Sequence, residues 1–165
     1  MNNPYIQRVY QKLAHARALL VLAKACNSTI PGRQQAEALV QGALLHLAVA
    51  YRFYLRELAS RYGMARPDAI VELEGLRQSL RQTDKSAPEV VELEHLEATD
   101  AWLGAVLSAE LEALNPSVVE STVQQAGLIA VSSRVVQPLS YDAVALWCQS
   151  LSELSERQRA SGEEC

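Results

Sequence analysis

The sequence predicts an all-α fold: an up-and-down bundle of five to six helices with an irregular segment near residues 127–138. Three observations lead there. Apolar side chains recur at three- and four-residue spacing along most of the chain, the period of a helix with one buried face. Breakers are scarce, with seven Gly and six Pro in 165 residues, 49% of them apolar and 21% charged. The connections between periodic stretches are short, so consecutive helices should be antiparallel neighbours. A chain of this length suits a single domain, residues 1–165, burying about 70% of its unfolded surface.

The first helix starts at Pro4, where the missing proline N–H costs nothing. Ile6, Val9, Leu13, Ala16, Leu20 and Ala23 follow at alternating spacings of three and four. Asn27-Ser28-Thr29-Ile30-Pro31-Gly32 reads as the turn that ends it. The second helix is expected from about Arg33 to Tyr62. Ala36, Val40, Ala43, Leu47, Ala50, Tyr54 and Leu58 form its stripe, and Leu39, Leu44, Val49 and Leu55 widen it around most of the circumference. A helix that apolar belongs at the centre of a bundle. Gly63 stands where a left-handed C-terminal residue is needed.

Pro67 and Asp68 open a third helix that Ile70, Leu73, Leu76 and Leu80 carry to about Gln82. The pattern resumes at Pro88, and Leu93, Leu96, Leu103, Leu107, Leu111 and Leu114 share one stripe. A continuous helix would bury Asp100 in that stripe, so a break is expected near Ala98-Thr99, with Thr99 as the cap. Asn115-Pro116 ends this element. Residues 117–138 are the least regular, and the run Leu128-Ile129-Ala130-Val131 is β-branched but has no partner strand. Ser140 caps a last helix built on Val144, Trp147, Leu151 and Leu154, which should fray from Gln158 onward.

Charge is laid out unevenly. The formal net charge is −4, which excludes a uniformly basic nucleic-acid binder. Yet residues 1–66 carry nine basic and two acidic side chains, a net of +7. Residues 67–165 carry six basic and seventeen acidic, a net of −11. Either the two halves neutralise one another across a bundle whose helices lie about 10 Å apart, comparable to the Debye length, or a local basic face survives and binds an anion. Cys26, Cys148 and Cys165 form no C-x-x-C pair. The opening Met-Asn-Asn-Pro-Tyr lacks a charged, apolar leader, and no apolar run reaches the length of a membrane span. A cytoplasmic protein with reduced thiols, away from the membrane, is the expectation.

Few residues carry chemistry. Arg8, Lys12 and His15 share a 60° sector of the first helix by projection at 100° per residue. Arg8 and His15, separated by six residues, resemble the ribonuclease motif of HEPN domains, also helical bundles. That resemblance implies an Arg holding phosphate and a His acting as acid or base. Here Val9 follows the Arg where those enzymes carry a polar residue, and a solvated helix flank explains the same pattern. His46 is expected to pack on Phe53 or to hydrogen-bond within the bundle. Glu92 and His95 form one Glu-x-x-His, the ligand pattern of di-iron bundles, but those need it twice. Glu89, Glu92, Glu94, Glu97 and Asp100 read as a solvated acidic face able to meet the Arg-rich second helix. On that helix Arg52, Arg56 and Arg61 are the candidate binding surface, with Glu57 as an i,i+4 partner of Arg61. Tyr51, Phe53, Tyr54 and Tyr62 supply core, or a stacking platform for single-stranded bases. Cys148 reads as a small buried hydrophobe. No cofactor motif occurs.

Four stretches carry a wider resemblance: Glu37-Ala38-Leu39 through Tyr54, Asp100-Ala101-Trp102-Leu103, Leu128 to Ser132, and the closing helix around Leu146-Trp147. Together they resemble small uncharacterised all-helical proteins, a domain of unknown function, of Pseudomonas-type gammaproteobacteria. The resemblance implies a bacterial cytosolic protein and supplies no activity. The residues themselves point to a non-enzymatic helical interaction or adaptor protein of unknown partner. A homodimer would use second apolar flanks such as Trp102, Val106 and Ala109. The alternative is a nucleic-acid-directed role, by a basic face or by HEPN-like cleavage through Arg8 and His15.

Overall fold

The computed structural model describes residues 3–98, 101–115 and 139–163. Among them are six α-helices and no strand, an all-α helical bundle. The sequence-derived elements at 117–138, including the irregular segment at 127–138, lie outside the described residues.

Helix α1 spans Pro4–Lys24. The Asn3 side chain caps it by accepting from the Tyr5 N–H at 3.1 Å. Its predicted stripe is the buried one: Val9, Leu13, Ala16, Leu20 and Ala23. Helix α2 spans Ile30–Arg61, three residues longer at its start than the turn signals suggest. Thr29 caps it through Gly32 N–H at 3.3 Å, so Ile30-Pro31-Gly32 form the first helical turn. Proline and glycine are tolerated there because that turn has no intrahelical N–H partner to lose. Gly32 must be glycine for another reason: a Cβ would collide with the Asn27 side chain and carbonyl.

At its far end α2 closes as the sequence predicts. Gly63 has φ +68°. Met64 N–H bonds Ala59 O and Gly63 N–H bonds Ser60 O, each at 3.0 Å, which satisfies the last carbonyls of the helix. The two long helices run antiparallel, as three contacts fix: Asn3 with Glu57, His15 with His46, and Leu19 against Gly42. Leu44, Leu47, Tyr54, Leu55 and Leu58 of α2 are fully buried. That helix touches α1, α3, α5 and α6, the central place its apolar circumference predicts. It is long and apolar enough by composition to cross a bilayer, and half of its most apolar window is buried within the bundle.

The third element departs from expectation. Pro67–Ala69 form only a 3-10 turn. Ile70 is then extended, with ψ 118°, and helix α3 begins at Leu73 and ends at Gln82. Helical spacing continues through Ile70, but its carbonyl leaves the helical path to accept Arg56 Nε–H at 2.9 Å. Helix α4 is Pro88–Ala98 and α5 is Trp102–Leu114, so the chain breaks where burying Asp100 would have been costly. Thr99 and Asp100 lie outside the described residues, and Ala101 is the N-terminal flanking residue, without a side-chain cap. The buried face of α5 is Leu103, Val106 and Glu110. Leu111 and Leu114 are 63% and 60% exposed, so the long leucine stripe does not continue inward. Val106 is buried, and Trp102 and Ala109 are half-buried with part of their surface packed on the core.

Helix α6 spans Tyr141–Glu163. Ser140 Oγ accepts from Ala143 N–H at 3.2 Å, the predicted cap. Val144, Cys148, Leu151 and Leu154 are its buried residues, with Ser155 and Gln158 below them. The expected fraying from Gln158 is absent through Glu163, because Gln158 is buried and Arg159 is held by an ion pair.

Candidate interaction surface

The fold disposes of the basic half in two ways. The first is neutralisation. Arg52 makes a bidentate pair with Glu110 of α5, at 2.6 and 2.8 Å. Arg61 contacts Glu57 and Glu89, each at 3.3 Å, and donates to the Gln158 carbonyl at 3.2 Å. Arg56 meets no carboxylate among the described residues: its Nε bonds the Ile70 carbonyl and its guanidinium lies 5.4 Å over the Phe53 ring. Of the three candidate binding arginines, two are therefore held by acids and the third is turned to the Ile70 carbonyl that follows the Pro67–Ala69 turn.

The densest network joins the end of α2 to α4 and α6. Glu57 is fully buried and takes a bidentate pair from Arg159, at 2.8 and 2.7 Å. The Arg159 guanidinium also lies 4.8 Å over the Tyr10 ring, a cation–π contact. Glu92 accepts from Arg157 at 2.6 Å and from Gln158 at 2.7 Å, while Gln158 accepts the Tyr54 hydroxyl. Arg157 beside it holds the Glu92 carboxyl below the usual carboxylate range. The Tyr62 hydroxyl donates to Glu89 at 2.6 Å, and burial together with that carboxylate pushes the phenol up to about 12. Glu57 therefore does more than the i,i+4 pair legible in sequence. Its main partner lies 102 residues away.

The acidic run on α4 meets α2 and α6 at several points instead of standing wholly in solvent. Besides Glu89 and Glu92, Glu97 accepts the Tyr51 hydroxyl at 2.7 Å. Burial, with Glu72 and Glu94 nearby, raises the Glu97 carboxyl above its ordinary range. The concavities beside it, between α3, α4 and α2, are lined by Glu74, Arg77, Glu94 and Glu97. Arg77 is paired there with Glu74 and Glu94.

The second outcome is exposure. Helix α1 has no acidic residue. Arg8, Arg17, Lys24 and Arg33 are exposed and Lys12 half-buried, and among the described residues none has a carboxylate within ion-pairing distance. Arg8 donates only to Gln11, at 3.1 Å. His15 of α1 and His46 of α2 meet edge to face, ring centroids 5.2 Å apart and planes at 77°. His46 does not take the Phe53 ring, which Arg56 covers. The antiparallel register that brings the two imidazoles together follows from the short turn between the helices. His15 lies nine residues before the end of α1 and His46 sixteen after the start of α2, so counting from the turn did not pair them.

The remaining candidates are dispersed. Arg8 and His15 lie two turns apart on α1. Glu92 is engaged by Arg157 and Gln158, and no cluster of three metal-ligating side chains occurs among the described residues. Cys148 is 1% exposed and its thiol is pushed up to about 11 by burial, so it is an inert core residue.

No curated protein and no solved structure matches the chain. What the bundle presents is a set of internally neutralised charges and several cations without a carboxylate partner among the described residues, of which Arg8 and Lys12 share the α2-facing flank of α1 with His15. The whole of residues 1–165 matches one described group, and the chain belongs to it: the family of unknown function DUF6586.

Proposed function

We propose that the protein works by binding, as a non-enzymatic interaction or adaptor module in a bacterial cytosol, and that the α1–α2 face holds an anionic partner. One observation carries this reading. Arg8 and Lys12, one turn apart on the α1–α2 flank, have no carboxylate partner among the described residues, whereas Arg52, Arg61, Arg77, Arg157 and Arg159 are each held by one. Unpaired like charges on one helix repel, and an anionic surface relieves that repulsion. The unpaired thiols of Cys26 and Cys148 suit a reducing compartment.

Retention on immobilised heparin tests the reading. Binding should weaken linearly with the logarithm of salt concentration. The double variant Arg8→Glu/Lys12→Glu should elute at lower salt than the native protein. Arg157→Glu, on the acid-rich side, should change elution little. Equal elution of the native protein and the α1 variant overturns the reading.

A further inference from the structure

We propose that Lys12, His15 and His46 form a phosphoryl-anion site that grips the sugar–phosphate backbone of a single-stranded nucleic acid. The inference rests on the reading of the α1–α2 face as an anion-binding surface and names its partner.

The three groups come from two helices and converge. Lys12 stands one turn before His15 on the same flank of α1, and His15 touches His46 across the hairpin. Burial, then Lys12, then His15 hold the His46 imidazole below its ordinary range. The charged and titratable groups acting on His46 are these two from α1. The nearest acid on α2 is Glu37, nine residues and about 13 Å along the axis. A lysine and two imidazoles with no carboxylate among them suit a ligand that brings the negative charge. A phosphodiester offers that charge on two acceptor oxygens.

The surroundings favour a linear polyanion. The site is an open flank, with His15 and Arg8 both exposed. Arg8 extends the cationic row by one further turn, about 10 Å from His15 along the axis. On α2, Phe53 and the guanidinium stacked over it lie towards the same end of the hairpin. A cationic track beside an aromatic–guanidinium platform is how single strands are held without sequence preference. A bound phosphate favours the protonated His46 imidazole, which burial and Lys12 hold below its ordinary range, so binding takes up a proton and weakens as pH rises.

Fluorescence anisotropy with a short labelled oligothymidylate tests this on the full chain, with imidazole NMR signals followed in parallel. His15→Gln changes an exposed residue and should leave the thermal melt unchanged. It and His46→Gln should each weaken binding about tenfold, the worth of one charge-assisted hydrogen bond. Native affinity should fall with rising pH, and the double variant should lose that dependence. The signals of His15 and His46 should move with the oligonucleotide and, at higher concentration, with inorganic phosphate. Unchanged affinity in the double variant overturns the site, even if the Arg8→Glu/Lys12→Glu variant still loses heparin retention and the cationic face stands. Binding to phosphatidylglycerol vesicles without binding to the oligonucleotide overturns the choice of partner. Absence of all polyanion binding overturns both the site and the face.

Discussion

Glu57→Gln tests the account of how α6 is held. Glu57 is fully buried on α2, and its carboxylate receives both Nε and Nη2 of Arg159 and, at 3.3 Å, Arg61. The Arg159 side chain is only 12% exposed. Glutamine keeps the shape but removes the charge, leaving a desolvated guanidinium without its counterion. Breaking a buried pair in this way costs about 3–5 kcal/mol. The Tyr10 ring beneath Arg159 retains about 1 kcal/mol of that, and Arg61 still has Glu89. The net loss is then about 3 kcal/mol, which in a domain of this size lowers Tm by about 6–12 °C. Arg157→Ala is the internal comparison. It breaks a bidentate pair on the same helix, but those side chains are 58% and 37% exposed, so the loss should stay within about 1 kcal/mol. Adding Arg159→Met to Glu57→Gln removes the stranded charge and should restore part of the stability. Circular-dichroism melts and urea titrations read all four proteins. A Glu57→Gln protein melting within about 2 °C of native, or a double variant less stable than the single, would refute the reasoning.

Two further outcomes follow from buried groups. Glu97 has its carboxyl raised by burial and by Glu72 and Glu94. With the folded value above the unfolded one, its ionisation opposes folding at neutral pH, and that penalty disappears as pH falls below the unfolded value of about 4.3. Glu97→Gln, which can still bond Tyr51, should therefore raise Tm at neutral pH, with the gain vanishing in acid; a lower Tm at neutral pH contradicts this. Cys148 should resist iodoacetamide in the native protein while half-buried Cys26 reacts, and should become reactive only on unfolding. Site-resolved mass spectrometry reads both, and equal native labelling would place Cys148 outside the core.

Local rules of the chain determined the helices. Periodic apolar spacing set α1, α2 and α6. Asn3, Thr29, Ser140 and Gly63 mark their ends, because capping requires a side-chain acceptor or a left-handed residue at one position. The break between α4 and α5 was legible in Asp100, since a continuous helix would have buried its charge. Rules that act over a few residues could not foresee contacts made across the bundle. Helical spacing continues through Ile70, but Arg56 captures its carbonyl and the helix begins three residues later. The leucine stripe of α5 runs to Leu114, but the pairing of Glu110 with Arg52 accompanies a different buried face.

Sequence alone determined that the first 66 residues carry a net charge of +7 and the rest −11. It could not decide which cations meet an acid, because Coulomb energy depends on distance and burial and not on order along the chain. Tertiary structure made that choice. It set Arg52 against Glu110, Arg159 against Glu57 and Arg157 against Glu92, and left Arg8 and Lys12 uncompensated on the flank of α1 that carries two touching histidines.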